Sequence, residues 1–295
     1  MKPGIELHAL SDPGTVKDFN QDFHGYLEGS TFDLFVVADG VGSRIDSDLA
    51  AGITVNAICD HFAGAGESFS PLRELELAMM KANDQVRYTS QGMPEDERMA
   101  STAAVLLLYR GEAWTANAGD SRVYLFRDQN VYRISHDHST VQEKLDRGIF
   151  RKRDVPRNPG EHNRITRAIG LKQDIIPEIR GPLEIGENDL FIVCSDGLTE
   201  VFNDSALNHY ANRVPAPELA QYLITESLNA GAQDNITVMV VKISEWKGVE
   251  RGKKLKIRTQ GGVIRDNLIY YAAAGIFIIA AILVFLFVSH KIVFK

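Results

Sequence analysis

Short apolar runs rich in β-branched residues recur along most of the chain and predict β-strands. Two breaks between such runs, Arg110-Gly111 and Arg127-Asp128-Gln129, are too short for a helical crossover. The strands on either side of each break are therefore expected to pair antiparallel. The predicted strands are residues 34–38, 102–109, 113–118, 121–126, 190–194 and 236–243.

Apolar residues at helical spacing predict four helices, which come in two pairs between the blocks of strands. The first pair covers residues 48–62 and 71–88, and the second covers residues 204–211 and 217–228. Helix pairs that are segregated from antiparallel strands are typical of α+β folds, whereas a doubly wound sheet alternates strand and helix. We therefore predict an α+β layered sandwich.

A longer apolar segment near the C-terminus, residues 268–288, has 21 positions without a charged residue. At a helical rise of ~1.5 Å per residue it spans ~32 Å, about the thickness of a bilayer core. A buried helix of a soluble core is the alternative, but it would need apolar partners around its whole circumference. The segment therefore predicts one C-terminal transmembrane helix.

The charge on either side of this segment predicts its orientation. Residues 247–267 form a basic linker with six net positive charges between Lys247 and Arg265, and only residues 289–295 follow the segment. Because basic loops stay on the cytoplasmic side, the body should be cytoplasmic and the last residues a short non-cytoplasmic tail. We expect a single-pass, tail-anchored membrane protein whose basic linker also contacts anionic membrane lipid.

Net charge and cysteine content narrow the function classes. The chain carries −7 overall, and its segment from Lys247 onward has nine Lys/Arg against two acidic residues, so residues 1–246 carry −14. An acidic body argues against nucleic acid as a partner. The two cysteines, Cys59 and Cys194, lie far apart, which suggests neither a disulfide framework nor a zinc ribbon and fits cytosolic conditions.

Four aspartates, Asp39, Asp120, Asp196 and Asp234, each stand where an apolar strand meets a turn. For any one of them ordinary turn chemistry is a sufficient explanation. Four carboxylates at one rim of a sheet would repel one another unless cations neutralised them, and oxygen ligands favour Mg²⁺ or Mn²⁺. Two such ions activate water and stabilise in-line phosphoryl transfer, so phosphate-ester hydrolysis becomes the leading chemistry.

Short motifs in a fixed order connect these aspartates with other residues between positions 5 and 243. The motifs are Lys17-Asp18-Phe19-Asn20-Gln21-Asp22, Asp39-Gly40-Val41-Gly42, Ser101-Thr102, Asn117-Ala118-Gly119-Asp120-Ser121-Arg122, Asp137-His138-Ser139, residues 163–170, Ser195-Asp196-Gly197-Leu198 and Asp234-Asn235-Ile236-Thr237-Val238. In these motifs the chain resembles the bacterial form of the PPM family, the protein phosphatase 2C-type metal-dependent Ser/Thr phosphatases.

The resemblance implies a fold and an activity. The fold would be a four-layer α-β-β-α sandwich of two antiparallel sheets flanked by helices, formed by a catalytic domain at residues 1–246 that is expected to be monomeric. The activity would be hydrolysis of phosphoserine and phosphothreonine in proteins by a water or hydroxide activated between two Mn²⁺ or Mg²⁺ ions, without a phosphoenzyme. A third ion is also expected.

The resemblance also implies ligands for these ions. Asp39 would bridge the two core metals, with the Gly40 carbonyl on the first metal. Asp196 and Asp234 would bind the second, and Asp120 would serve the third.

Two further residues would act around the ions. Asp22, together with Gln21, would act through metal-bound waters, and Asn235 would orient the site. The implied catalytic set is Asp39, Asp196, Asp234 and Asn235.

Three positions depart from the family pattern. Lys17 stands where an arginine usually grips the phosphate, and a lysine offers a point charge instead of a bidentate fork, so phosphate binding should be weaker. Arg44 would compensate by reaching the phosphate, although an exposed arginine explains it equally well. Val41 cannot donate a proton to the leaving oxygen, and His136 and His138 are candidates for which a structural role is the simpler explanation.

Other functions stay open at this point. The expected partners are phosphorylated proteins, among them a membrane Ser/Thr kinase and its substrates. The alternative is a membrane-tethered pseudophosphatase, a docking module of a signalling complex that has kept the fold, and Lys17 leaves it open. A two-metal nuclease is disfavoured by the charge of −14 on residues 1–246.

Overall fold

The computed structural model describes residues 4–41, 46–94, 97–151 and 164–245. The predicted linker 247–267, transmembrane segment 268–288 and tail 289–295 lie outside these residues, as does Arg44, and the domain boundary at 246 stays a prediction. Within the described ranges, no helix has both the length and the apolar character needed to cross a membrane.

The described residues form strands and helices in an α+β order. The strands are β1 (Ile5–Asp12), β2 (Asp22–Glu28), β3 (Phe32–Val41), β4 (Ala100–Ser101), β5 (Ala103–Tyr109), β6 (Glu112–Ala118), β7 (Arg122–Arg127), β8 (Asn130–Arg133), β9 (Glu178–Glu184), β10 (Leu190–Cys194) and β11 (Ile236–Ile243). The helices are α1 (Ser47–Ala63), α2 (Pro71–Thr89), α3 (Thr140–Asp146), α4 (Asp196–Val201), α5 (Asp204–Ala211) and α6 (Ala216–Asn229).

The strands form two sheets. One has the order β1-β11-β10-β7-β8, and the other has the order β2-β3-β5-β6-β9 with β4 paired beside β3. Every strand pair with a described register is antiparallel. The predicted pair of antiparallel sheets is therefore confirmed.

The two sheets pack face to face, and helices cover their outer sides. Strand β10 of the first sheet contacts β3 and β5 of the second. Helix α1 packs on β2 and β3 and α2 on β6 and β9, while α6 packs on β1 and β11. This is the predicted order of layers, helix–sheet–sheet–helix.

Successive side chains along each buried strand point to opposite faces of the sheet, so one strand contributes to the apolar layers on both sides. In β3, Leu34 and Val36 belong to the core shared with the helices α1 and α2, whereas Phe35 and Val37 are buried but lie outside that cluster. Because successive side chains point to opposite faces, Phe35 and Val37 face the other sheet. A strand that is apolar on both faces, as the sequence indicated for 34–38, is what a central layer requires.

The two predicted hairpins are present. Arg110 and Gly111 connect β5 to β6, and Asp128 and Gln129 connect β7 to β8, all four with positive φ, from 47° to 90°. Two consecutive residues in the left-handed region match the right-handed twist of the paired strands. The six predicted strands and the four predicted helices all occur, with ends displaced by at most a few residues.

Candidate metal centre

The predicted aspartates lie at matching ends of strands. Asp39 is near the end of β3 and stands opposite Asp22 in the β2–β3 register. Asp196 follows the end of β10 as the first residue of α4, and Asp234 lies two residues before β11. Because β10 and β11 are antiparallel neighbours, Asp196 and Asp234 lie at the same rim of the first sheet.

Hydroxyl groups join this rim to the ends of the second sheet. The Ser195 hydroxyl donates to Asp22 Oδ2 at 2.6 Å and accepts from the Thr237 backbone N–H at 2.9 Å. Since Asp22 belongs to the second sheet and Thr237 to the first, this serine bridges the two layers. The bridge places Asp22 and Asp39 beside Asp196 and Asp234.

Asp120 is connected to Asp39 by a second hydroxyl pair. The Asp39 backbone N–H donates to Thr102 Oγ1 at 2.9 Å, and the Thr102 and Ser121 hydroxyls are hydrogen-bonded at 2.7 Å. Asp120 directly precedes Ser121 in the connection between β6 and β7. All five predicted carboxylates are thus brought to one end of the sandwich.

Glycine follows Asp39 and Asp196 because the backbone is crowded there. A Cβ atom on Gly40 would lie 2.1 Å from the Ser47 carbonyl oxygen, and one on Gly197 would lie 2.1 Å from the Asn235 carbonyl oxygen. Any side chain at these positions would force neighbouring backbone apart. The glycines of the two Asp-Gly pairs are therefore needed for close packing around the carboxylates. Turn formation, which would explain a single Asp-Gly pair, is not their only role.

The electrostatics of the cluster are those of crowded like charges. Burial, followed by repulsion from the surrounding aspartates, raises the pKa of Asp39 and of Asp196 well above the ordinary value. Burial is also the main cause that raises the pKa of Asp22 to about 6 and that of Asp120 to about 7. Each carboxylate is therefore costly to ionise unless a cation lies near it.

The donor set fits hard divalent cations. Asp22 Oδ1 and Asp120 Oδ1 are buried and have no hydrogen-bond partner among the described residues. Asp39, Asp196 and Asp234 keep part of their surface exposed, so the cluster has an open side. Carboxylate oxygens with unused lone pairs are ligands for Mn²⁺ or Mg²⁺ and not for zinc, which prefers nitrogen and sulfur.

The individual ligand assignments stay predictions. In the part of the chain that the structure describes, no three or more His, Cys, Asp and Glu side chains form a group spaced to hold one metal ion. The carboxylates are close enough to raise one another's pKa, but they do not converge as a ligand set. Part of the implied coordination comes from the Gly40 carbonyl and from water, which are not side chains.

Glu200 is an acidic neighbour of the cluster that the sequence analysis did not identify. Its charge raises the pKa of both Asp120 and Asp196, and its own pKa is raised by burial and by Asp234. It follows Asp196 by four positions in α4, so both side chains lie on one helix face. This spacing after the Asp-Gly pair was the available signal.

Asn235 and Lys17 both lie beside Asp234. Asn235 is buried, and its side chain accepts from Gln21 N at 2.9 Å and donates to the carbonyls of Pro13 and Phe19 at 2.9 and 3.0 Å. Lys17 Nζ lies 3.3 Å from Asp234 Oδ1, and each of the two side chains is 37% exposed. Asn235 therefore holds the β1–β2 loop against the cluster, and that loop presents Lys17.

The two histidine candidates are engaged in other contacts. His138 is buried, its Nδ1 accepts from the Gly119 backbone N–H at 3.2 Å, and its Nε2 lies 3.5 Å from Glu178 Oε2. His136 Nε2 lies 2.8 Å from Asp146 Oδ2. These contacts agree with the structural role that was the simpler explanation for both residues.

Comparison with known proteins identifies the family. A family model described as protein phosphatase 2C matches residues 15–235, about three-quarters of the chain. The chain belongs to the protein phosphatase 2C family. The predicted family and the predicted enzyme class, a protein serine/threonine phosphatase, are thereby confirmed.

Bacterial phosphatases are among the similar proteins of this family. Protein phosphatase PhpP of Streptococcus pneumoniae is 28% identical over 245 residues, which cover 82% of this chain and 98% of that protein. The serine/threonine phosphatase stp of Listeria monocytogenes is 27% identical over 245 residues, which cover 80% of this chain and 96% of the relative.

Solved structures show the same fold. A serine/threonine phosphatase of S. agalactiae gives a TM-score of 0.74 at 26% identity, covering 81% of this chain and 99% of the other. The catalytic domain of the serine threonine protein phosphatase PstP, in complex with two manganese ions, gives a TM-score of 0.70 at 25% identity, covering 82% and 99%.

The repulsion within the cluster predicts that one isosteric change stabilises the metal-free protein. We expect Asp39→Asn to raise the unfolding midpoint in the presence of a chelator, by roughly 2–4 °C for each kcal/mol of repulsion removed. The pKa of Asp39 is higher in the folded state than in the unfolded state. The free-energy cost of ionising Asp39 in the folded protein therefore grows as pH rises from about 4 toward the folded pKa. The gain should therefore be larger at pH 7.5 than at pH 5.

Differential scanning calorimetry of wild type, Asp39→Asn and the exposed control Asp84→Asn would measure this effect. The control should leave the midpoint unchanged at both pH values. A midpoint of Asp39→Asn below that of wild type in chelator at pH 7.5 would contradict the account.

Proposed function

We propose that this chain hydrolyses phosphoserine and phosphothreonine in proteins, with two Mn²⁺ or Mg²⁺ ions held by the carboxylate cluster and a third ion at Asp120. The observation that carries the proposal is the crowding of five carboxylates at one end of the sandwich, where burial and repulsion raise the pKa of Asp22, Asp39, Asp120 and Asp196. Burying several carboxylates together costs folding free energy, and ionisable groups with shifted pKa values are typical of functional sites. The manganese ions of the similar PstP catalytic domain support the choice of metal.

The reaction joins a water oxygen to phosphorus and breaks the bond between phosphorus and the serine or threonine oxygen, which leaves as a hydroxyl after taking up a proton. When bound, the ions supply Lewis-acid activation of the water and neutralise the phosphoryl charge. Asp39, Asp196 and Asp234 would hold the ions in place, with the Gly40 carbonyl as a further oxygen donor. Asp22 orients water at the buried side of the cluster.

Lys17 supplies a positive charge that the protein itself offers to the phosphoryl group. Its Nζ is beside Asp234, so it faces the open side of the cluster. A lysine donates from a single point, and its contact with Asp234 has to be shared with the phosphate. We infer that the ground-state grip on the phosphate is weak.

The leaving oxygen takes its proton from solvent in this proposal. Val41 carries no proton donor, and His136 and His138 contact Asp146, Gly119 and Glu178. The partly exposed Asp39, Asp196 and Asp234 leave a path for water to the reacting atoms.

The proposed place of action is the cytoplasmic face of a membrane. The support is the sequence itself, with the uncharged segment 268–288 preceded by the basic linker 247–267. Tethering would confine the enzyme near the membrane and raise its effective concentration toward phosphorylated partners there, among them a membrane Ser/Thr kinase and its substrates. The linker would also contact anionic lipid.

The function can be tested with the full-length chain and a phosphothreonine peptide. We expect turnover with Mn²⁺ that chelator abolishes, and a loss of roughly a hundred-fold or more in kcat for Asp39→Asn and Asp234→Asn, because both remove a carboxylate from the reacting centre. Asp60→Asn, on the exposed surface of α1, is the matched control and should retain wild-type rates. Equal turnover in all samples, or none in any, would contradict the proposal, and the latter would favour a pseudophosphatase.

Lys17 can be tested by restoring the bidentate fork. Lys17→Arg should lower KM for the phosphopeptide by up to roughly ten-fold, since a charged two-point hydrogen bond replaces a single one. The rate constant kcat should change little, because the contact is made in the ground state as well as in the transition state. Steady-state kinetics would show this, and an unchanged or raised KM would count against the role of Lys17.

A further inference from the structure

Two phenylalanines next to the metal centre are exposed. Phe19 is 73% exposed and Phe23 is 44% exposed, and no other phenylalanine in the described part of the chain exposes more than about a third of its surface. Single exposed apolar residues are common and need no explanation. An aromatic pair set at one functional site is different, because aromatic side chains supply much of the binding energy at recognition surfaces.

The position of Phe19 is fixed by the same contacts that build the cluster. Its carbonyl accepts from Asn235 Nδ2 at 3.0 Å, and Asn235 is the chain neighbour of Asp234. Lys17, two residues before Phe19, reaches Asp234. Phe19 therefore lies on the loop that also presents the phosphate-facing lysine.

Phe23 flanks the cluster from strand β2. It directly follows Asp22, whose side chain is buried in the cluster, so the ring of Phe23 points to the opposite face of the strand. That face carries α1, and a Cβ atom on Gly52 would lie 4.0 Å from Phe23 Cδ2. Part of the ring rests on the helix, and the rest is open to solvent.

The loop that carries Phe19 is held in place before any substrate arrives. Thr15 Oγ1 donates to the Ala232 carbonyl at 2.8 Å, and Asn20 Nδ2 donates to Ser11 Oγ at 2.7 Å. Asn235 adds its contacts to Pro13, Phe19 and Gln21. A preordered surface binds with a smaller loss of conformational entropy than a flexible one.

The distances suit a residue that is close to the phosphorylated one in the substrate chain. An extended peptide advances ~3.3 Å per residue, so side chains one to three positions from the phosphorylated residue lie within ~10 Å of it. Phe19 and Phe23 are four positions apart, which limits their backbone separation to ~14 Å. The backbones of both residues are thus within the span of the peptide positions that flank a phosphoryl group held at the cluster.

We propose that Phe19 and Phe23 form an apolar docking surface that selects phosphopeptides with a large apolar residue within three positions of the phosphorylated serine or threonine. The inference rests on the proposed function, since the phosphoryl group has to lie at the carboxylate cluster. It adds a substrate preference that the cluster alone does not provide.

The experiment compares two phosphothreonine peptides, one with leucine and one with serine on both sides of the phosphothreonine, using the full-length chain and Mn²⁺. Wild type should prefer the leucine peptide by roughly five-fold in kcat/KM, through KM, as expected for burial of part of one apolar side chain. Phe19→Ser and Phe23→Ser should each reduce that ratio toward one. Phe19→Leu should keep it, because an apolar contact is retained.

Leu72→Ser is the matched control. Leu72 is 45% exposed near the start of α2, and the neighbouring Phe69 packs on Phe32 at the opposite end of β3 from Asp39, ~23 Å along the strand. The control should keep the wild-type ratio. Unfolding midpoints equal to that of wild type would show that the serine variants are folded.

Three outcomes would overturn the proposal. A wild-type ratio of one, with p-nitrophenyl phosphate still hydrolysed, would remove the docking surface and leave the proposed function standing. A ratio that is unchanged in both Phe19→Ser and Phe23→Ser would also remove the docking surface and leave the proposed function standing. The same conclusion would hold if these variants lost self-association or vesicle binding but kept the ratio. Failure to hydrolyse p-nitrophenyl phosphate or either peptide with Mn²⁺ would remove the proposed function, and this inference with it.

Discussion

The accumulation of like charge at one end of the sandwich is the constraint on which the rest of the structure depends. Five aspartates are held there by strand ends, by the Ser195 and Thr102 hydroxyls and by backbone packing so close that only glycine fits at Gly40 and Gly197. The apolar cores on either side stabilise the two sheets, and the sheets keep the carboxylates together against their repulsion. Divalent cations are the natural partners of such a cluster.

Much of the fold was predictable because its central strands are buried on both faces. The strands predicted in residues 34–38, 190–194 and 236–243 are interior strands with continuous apolar runs. The strands for which the sequence analysis gave no residue range include all four sheet edges, β1, β2, β8 and β9. Edge strands are half exposed and tolerate Gly and Pro, as in the Gly181-Pro182 pair of β9, so hydrophobic pattern identifies them poorly.

The candidate site was predictable in its carboxylates and not in its surroundings. The strand-end aspartates and the family motifs around them were visible in the sequence. The place of Glu200 beside the cluster depends on helix α4, which was not predicted. The hydrogen bonds from Asn235 to the β1–β2 loop depend on the tertiary structure. Through these hydrogen bonds, Asn235 fixes a loop that serves more than one function. The loop carries Lys17 to Asp234 and exposes Phe19 next to it, so phosphate contact and substrate preference would share one rigid support.

We propose that this carboxylate cluster binds divalent metal ions. Isothermal titration calorimetry of the full-length chain with Mn²⁺ would test it most directly, because it counts bound ions without relying on turnover. We expect two ions to bind to wild type, and that binding to be lost when asparagine replaces Asp39. Absence of Mn²⁺ binding to wild type, or the same stoichiometry and affinity in Asp39→Asn, would contradict it.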